Sequence, residues 1–257
     1  MSFSANLGFL WADLPLPDAI RAAKAAGFDA VECHWPNDVP PEDVAAALAE
    51  TGLPMLGLNT ARGDVESGEF GLSALPGREA EARAAIDQAI AYAAAIGARN
   101  LHAMAGFARG SDADATFIAN LRHACAGAAP HGITILIEPL NLRDAPGYYL
   151  SDTHKAREII DAVAAPNLRL MFDCYHLQIM QGDLPGLLED CLPVIGHVQF
   201  ASVPDRGPPD EGDVDYPRLF RHILALGWTA PLGAEYRPRG ATEASLGWLK
   251  NPAFHIE

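Results

Sequence analysis

The stretch Thr134 to Asn141, "TILIEPLN", decides the fold. Three aliphatic residues run straight into Glu138 and then a proline. Such a run is a buried strand stopped by a residue that cannot extend the ladder, with a carboxylate set at its end. The same grammar recurs along the chain: a short apolar run, a loop rich in Pro, Gly or Asp, then an amphipathic segment rich in Ala and Leu. The runs are "FSANL" (3–7), "DAVECHW" (29–35), "PMLGLNT" (54–60), "NLHAMAG" (100–106), "ITILIEPL" (133–140), "LRLMFDCYH" (168–176), "IGHVQFA" (195–201) and "PLGAEYRP" (231–238). Predicted helices include "LPDAIRAAKAAG", "PPEDVAAALAETG", "GREAEARAAIDQAIAYAAAIG", "SDTHKAREIIDAVA", "DYPRLFRHILALG" and "TEASLGWL". Pro and acids at several starts, and Gly at several ends, mark their boundaries.

Eight such βα units without a linker or composition break predict one (β/α)8 barrel, a TIM barrel, over residues 1–257. A doubly wound open sheet is the alternative. The one long excursion is Thr60 to Pro76, "TARGDVESGEFGLSALP", which reads as a lid or a site loop.

Composition narrows the partners. Of 257 residues, 33 are acidic and 18 basic, a formal charge of −15 with no Lys/Arg-rich run. Nucleic acid and anionic membranes are excluded as expected partners. The start, "MSFSANLGFLWADLP", lacks a basic segment followed by a long apolar run, and nothing later is long and apolar enough to span a bilayer. A soluble, cytoplasmic protein is expected, with homo-oligomerisation left open. Cys33, Cys125, Cys174 and Cys191 are too scattered for a zinc site and are expected to be reduced and buried.

In a barrel, chemistry gathers at the C-terminal strand ends. The polar residues there are Asn6, Glu32, Asn59, His102, Glu138, Asp173, Gln199 and Glu235. Lone Asn6 and Asn59 are explained as strand stops. Glu138, Asp173 and Glu235 are not, because a carboxylate ending an apolar run must be paired, protonated or metal-bound. With the amide oxygen of Gln199 they form an all-oxygen set from strands five to eight, suited to Mg2+ or Mn2+ rather than zinc.

At "IEPLN", "FDCYHLQIMQGDL", "GHVQFASVPDRGPPDEGDVDYPRLF" and "GAEYRPRGATEASLGWL" the sequence resembles the hydroxypyruvate isomerase family, and "NTARGDVESGEFGLSALPGRE" and "HAMAG" are equally close. The 2-oxo-tetronate isomerase branch is similar over the same motifs. The resemblance covers nearly the whole chain and implies a xylose isomerase-like barrel. It implies metal ligands at Glu138, Asp173, Gln199 and Glu235, with acid/base roles for Glu138 and Glu235. Gln199 stands where related epimerases have histidine, which favours the isomerase branch. His176 and Arg206 correspond to substrate contacts in the wider superfamily, and Asp144 to a glutamate just outside the ligand set.

The chemistry so implied interconverts hydroxypyruvate and tartronate semialdehyde through a shared enediolate, with an electrophile across two oxygens, a base and an acid. A hydride shift is the alternative route, and the same reaction on a 2-oxo-tetronate is the alternative substrate. An anionic substrate in so acidic a protein needs a placed cation: Arg206, with Arg237 and Arg239 as competitors. His102, Asn59 and Glu32 are further candidates for the substrate pocket, while His34 and Trp35 stand outside the core site. An abasic-site endonuclease would need a His-rich multi-zinc site and a basic face. A nucleophilic hydrolase would need GxSxG after a strand, and nucleotide binding GxGxxG or GK[ST]; none occurs. A sugar-acid sensor that kept the barrel and lost turnover is the non-enzymatic alternative.

Overall fold

Short, mostly apolar runs with a polar residue at or near the end of each build eight parallel strands in a computed structural model that describes residues 1–37 and 39–254. They are β1 (Phe3–Asn6), β2 (Ala30–Glu32), β3 (Gly57–Asn59), β4 (Asn100–His102), β5 (Thr134–Ile137), β6 (Leu168–Asp173), β7 (Ile195–Phe200) and β8 (Leu232–Ala234). The ladder runs β2-β1-β8-β7-β6-β5-β4-β3. The first strand therefore pairs with the last, Phe3 opposite Leu232, which an open doubly wound sheet does not allow. Closure between β2 and β3 is carried by Val31 N donating to Pro54 O (3.0 Å), Leu56 N to Val31 O (2.7 Å) and Cys33 N to Gly57 O (3.0 Å). The expected barrel is the observed architecture.

Around it lie α1 (Leu16–Ala26), α2 (Pro41–Thr51), α3 (Glu79–Ile96), α4 (Ser111–Ala128), α5 (Thr153–Val163), α6 (Cys174–Met180), α7 (Leu184–Cys191) and α8 (Tyr216–Ala225). Gly27, Gly52 and Gly97 end α1, α2 and α3 in the left-handed region, as glycine at a helix end does without steric cost. Asp152 caps α5 by accepting from Lys155 N, and Asp215 caps α8 by accepting from Arg218 N.

Three sequence expectations change. The run "LRLMFDCYH" leaves the strand after Asp173, because the Asp173 side chain accepts from Tyr175 N and starts α6 at once. "TEASLGWL" forms two short 3-10 turns rather than a helix, broken at Leu246. The 18-residue α4 was not among the predicted helices; most of its buried face is small or polar, Ala113, Thr116, Asn120 and Cys125 among them, and carries little apolar period.

Phe3, Phe200, Phe220 and Trp248 pack edge-to-face or tilted, at centroid separations of 5.0 to 5.9 Å, and fasten α8 and the C-terminal turns to β1 and β7. Each such ring contributes roughly 1.5–3 kcal/mol by burial. All four cysteines are buried and free of disulfides. No helix among the described residues is long and apolar enough to cross a membrane.

Candidate active site

Beneath the mouth, the barrel interior is not wholly apolar. Glu32, 3% exposed, accepts from His197 Nε2 at 2.5 Å, Gln199 Nε2 at 3.0 Å and Asn6 Nδ2 at 3.2 Å. A buried carboxylate is tolerated when donors fill its lone pairs, and three do so here. Space for them comes from β8: a Cβ on Gly233 would lie 2.6 Å from Glu32 Oε1 and 2.9 Å from both Gln199 Cγ and His197 Nε2. Glu32 thus lies under the cavity rather than in its lining. Its effect on the mouth is orientation: with Gln199 Nε2 drawn down to Glu32, Gln199 Oε1 is left buried and without a donor among the described residues.

Asn6 connects this floor to the site. Its Oδ1 accepts from Gly8 N (2.9 Å), so its amide group must face the carboxylates, donating to Glu32 Oε1 and, at 3.0 Å, to Glu235 Oε1. Glu235 follows β8 directly, and its other oxygen accepts from Arg206 Nη2 at 2.6 Å. The same Nη2 reaches Asp173 Oδ2 at 3.3 Å. Arg206 comes from the loop after β7 with φ 54, a left-handed conformation uncommon for a side-chain-bearing residue. Its backbone is held by Ser202 O and Arg237 N, and its guanidinium lies 4.9 Å from the ring centroids of both Phe9 and Tyr175.

Glu138, one residue past β5, shows the opposite environment. Its Oε1 is buried with no donor among the described residues, and Oε2 lies 3.5 Å from His102 Nδ1. Burial, then the nearby charges of Glu235 and Asp173, push its carboxyl well above the usual range. Burial likewise raises Asp173 to about 7, with Arg206 opposing. For Glu235 burial acts in the same direction but is outweighed by Arg206 and His34, which hold it down at about 2. The two carboxyl groups at one mouth are pushed in opposite directions.

Glu138, Asp173 and His176 offer atoms that all lie within 4.8 Å of one another, a cluster of the size that holds a metal ion. Their donors differ in kind. His176 Nδ1 receives both the Asn141 backbone N–H (3.1 Å) and Asn141 Nδ2 (2.7 Å), so it is the acceptor nitrogen and Nε2 carries the proton. Burial and Arg206 lower His176 to about 3, so the ring stays neutral. Its Nε2–H faces Asp173 Oδ2 at 3.6 Å and Glu138 Oε1 at 4.0 Å. It is a donor, and the oxygen atoms are the acceptors for a cation. The buried, donor-free Glu138 Oε1 and Gln199 Oε1 fit a hard divalent ion in the way an apolar pocket would not.

A cavity of about 340 Å3 opens above this set, lined by Asn59, His102, Glu138, His176, Arg206 and Glu235, and by Asp144 and Arg237. His102 is buried with neither ring nitrogen partnered among the described residues, and burial lowers it to about 4. Asp144 accepts from Tyr175 Oη (2.6 Å) and Asn141 Nδ2 (3.2 Å), which fixes the residue orienting His176. Arg239 is outside, exposed and paired with Asp205 and Glu211. Trp35 packs on Tyr92 at 5.5 Å.

Two polar lining residues escaped the sequence reading. His34, placed outside the core site, has Nε2 3.6 Å from Glu235 Oε1, and Arg62 Nη2 lies 3.3 Å from His34 Nδ1. Position alone signals His34, two residues past the Glu32 strand end. Arg62 had no signal beyond its place in the long loop after β3. That loop is fixed rather than free. Gly71 pairs with Ala105, Ser73 N donates to Met104 O (3.1 Å) and Ala74 N to Ala105 O (2.8 Å). Gly71, at φ 115, comes so close that a Cβ would lie 2.6 Å from Met104 O.

A parallel barrel closed by β1 on β8, with an acidic cluster at its C-terminal mouth, defines a xylose isomerase-like TIM barrel, and residues 20–251 match the model of that family. Among sequence relatives, the 2-oxo-tetronate isomerase of Cupriavidus necator is 44% identical over 253 residues, 96% of this chain and 97% of its own. The hydroxypyruvate isomerase of Escherichia coli is 36% identical over 254 residues, 97% and 98% of the two chains. A crystal structure described as an AP endonuclease, family 2, from Brucella melitensis superposes with a TM-score of 0.93 at 42% identity, covering 96% of this chain and 97% of that one. The chain belongs to the hydroxypyruvate isomerase family of these barrels and is an isomerase.

Proposed function

We propose that the chain interconverts hydroxypyruvate and tartronate semialdehyde by proton transfer through an enediolate. One observation carries the reading: Glu235 and Glu138 border one cavity, Glu235 with both oxygens held by Asn6 and Arg206 and Glu138 with Oε1 buried and donor-free among the described residues. A base and an acid at one site are what moving a carbonyl between neighbouring carbons requires. Glu235 takes a proton from C3 of hydroxypyruvate, and Glu138 gives one to C2, while a proton passes from O3 to O2. The reverse reaction exchanges the roles. His176 donates its Nε2–H to a substrate oxygen, and His102 supplies a second neutral contact.

Glu138, Asp173, Gln199 and Glu235 would hold the cation, Mg2+ or Mn2+. When bound, it polarises the two adjacent substrate oxygens and stabilises the enediolate charge. Arg206 neutralises Asp173 and Glu235 and keeps Glu235 a base at neutral pH. An oxygen-rich mouth in a chain of charge −15 is a poor match for a DNA phosphate backbone, which argues against the endonuclease activity that the Brucella structure is named for.

The same chemistry on a 2-oxo-tetronate, one carbon longer, is the second reading, favoured by the 44% identity to the Cupriavidus protein. The test is turnover of both acids by chelator-treated protein with Mg2+ or Mn2+ restored. Metal-restored activity supports the reading and the preferred acid selects the substrate. Bound metal with no turnover of either acid rejects the substrate class.

A further inference from the structure

The cation expected to meet the substrate carboxylate was Arg206, but its Nη2 is already committed to Glu235 and Asp173. Arg239 is paired on the surface, and Arg237 is exposed at the rim, 5.6 Å over the Phe9 ring. Arg62 is in a different position. It is half-buried and lines the cavity, and among the described residues no carboxylate lies within ion-pair distance of it. Its contacts are a hydrogen bond to ring nitrogen Nδ1 of His34 and the face of Phe70, 4.8 Å from the guanidinium.

In a chain with 33 acidic residues, a half-buried cation with no acidic partner among the described residues is suited to take an anion from elsewhere. Burial lowers its pKa, with Glu235 opposing, as expected for a guanidinium short of counter-charge. The residue is also held in place. Its carbonyl accepts from Gly71 N at 2.8 Å, and Gly71 is seated on Met104. The guanidinium is therefore presented to the cavity from the loop after β3, away from the strand ends that carry Asp173 and Glu235.

His34 links this wall to the base. Arg62 can only donate, so His34 Nδ1 accepts and Nε2–H points to Glu235. The ring rests on Gly8, where a Cβ would lie 2.4 Å from Nδ1.

We propose that Arg62 is the receptor for the carboxylate of the substrate, with His34 beside it, and that this pair selects small hydroxy and oxo acids over neutral ketoses. The proposal rests on the isomerase reading above and adds the orientation of the bound acid: carboxylate toward Arg62, reacting carbons between Glu235 and Glu138.

The experiment has two arms on the metal-loaded protein, for wild type, Arg62→Gln and Arg62→Lys. The first is calorimetric binding of glycolate, a hydroxy acid that cannot isomerise, against neutral ethylene glycol. The second is steady-state turnover of hydroxypyruvate against dihydroxyacetone, which replaces the carboxylate by a neutral hydroxymethyl group. Losing one charge-assisted pair predicts that Arg62→Gln weakens glycolate binding and lowers the acid-over-ketose ratio of kcat/KM by about 100-fold, mainly through KM. Arg62→Lys is expected to recover part of both. Equal losses on acid and ketose, or glycolate binding indifferent to Arg62, would overturn the proposal. Arg62-dependent glycolate binding without turnover of any acid keeps the receptor and rejects the isomerase reading; turnover without that dependence does the reverse. Wild type that neither binds nor turns over an acid rejects both.

Discussion

The two halves of the barrel mouth are built from different materials. The half formed by β5 to β8 carries Glu138, Asp173, Gln199 and Glu235 on or next to strand ends, with Arg206 among them. The half formed by the exits of β2 to β4 carries His34, Asn59, Arg62 and His102, and apart from Asn59 and His102 these stand on loops. One half collects negative charge, which Arg206 offsets at Asp173 and Glu235 but not at Glu138. The other offers imidazole rings and a cation with no acidic partner among the described residues. The division separates two tasks: bond-making needs groups fixed by the barrel itself, while recognition of an anion needs a cation kept away from those carboxylates.

The sharpest break of this division is Glu235→Gln or Glu138→Gln, each expected to lower kcat by about 10^3 to 10^4-fold, since a general acid or base is worth up to that much. Glu138→Gln should hold or raise the melting temperature, because it removes a buried carboxyl without a donor. Steady-state kinetics alongside thermal melts check both.

Arg206→Met comes next. It leaves Glu235 and Asp173 without counter-charge, so both pKa values rise and the acid limb of the kcat/KM profile moves to higher pH. Breaking a buried pair costs about 3–5 kcal/mol, so a clear fall in melting temperature accompanies the kinetic loss of about 100-fold at neutral pH. An Arg206→Met protein with an unmoved acid limb would remove Arg206 from the control of Glu235.

The metal effect should depend on pH. Asp173 is raised to about 7 and Glu138 is raised as well, so their protonated forms favour the folded chain. That stability is present below the unfolded value of about 4 and is lost as pH rises through the folded one. His102 and His176, lowered to about 4 and about 3, act oppositely and destabilise as pH falls from about 6.5 through those values. A cation at the carboxylates removes the high-pH loss only. The melting-temperature gain from Mg2+ or Mn2+ should therefore be larger at pH 8 than at pH 5.5; equal gains would place the ion elsewhere.

The smallest effect expected is for Gly8→Ala, whose Cβ must push the His34 ring aside, reducing kcat/KM by roughly 10-fold while Glu138 and Asp173 keep their surroundings.

The same division governs what could be read from the sequence. Glu138, Asp173 and Glu235 stood out because an apolar strand leaves an acid nothing to pair with, and strand periodicity made the barrel legible as well. His34 and Arg62 had no such contrast. A loop has no period, and whether its side chain faces a cavity depends on contacts between distant segments, such as Gly71 on Met104 and Gly8 under His34. Glu32 was visible as a strand-end acid, but only the closed barrel shows three donors meeting it below the cavity. Arg206 was visible as a cation; its commitment to Glu235 depends on a left-handed turn that sequence does not announce.

Asp173 serves two structures with one side chain. Oδ1 accepts from Tyr175 N at the start of α6, Oδ2 faces Arg206, and the Tyr175 ring lies against that same guanidinium. Any change of charge on the carboxylate is therefore felt by the first turn of the helix. The amide proton of Tyr175 is a resident probe whose exchange rate and chemical shift report the state of the mouth in the resting protein, before any substrate is added.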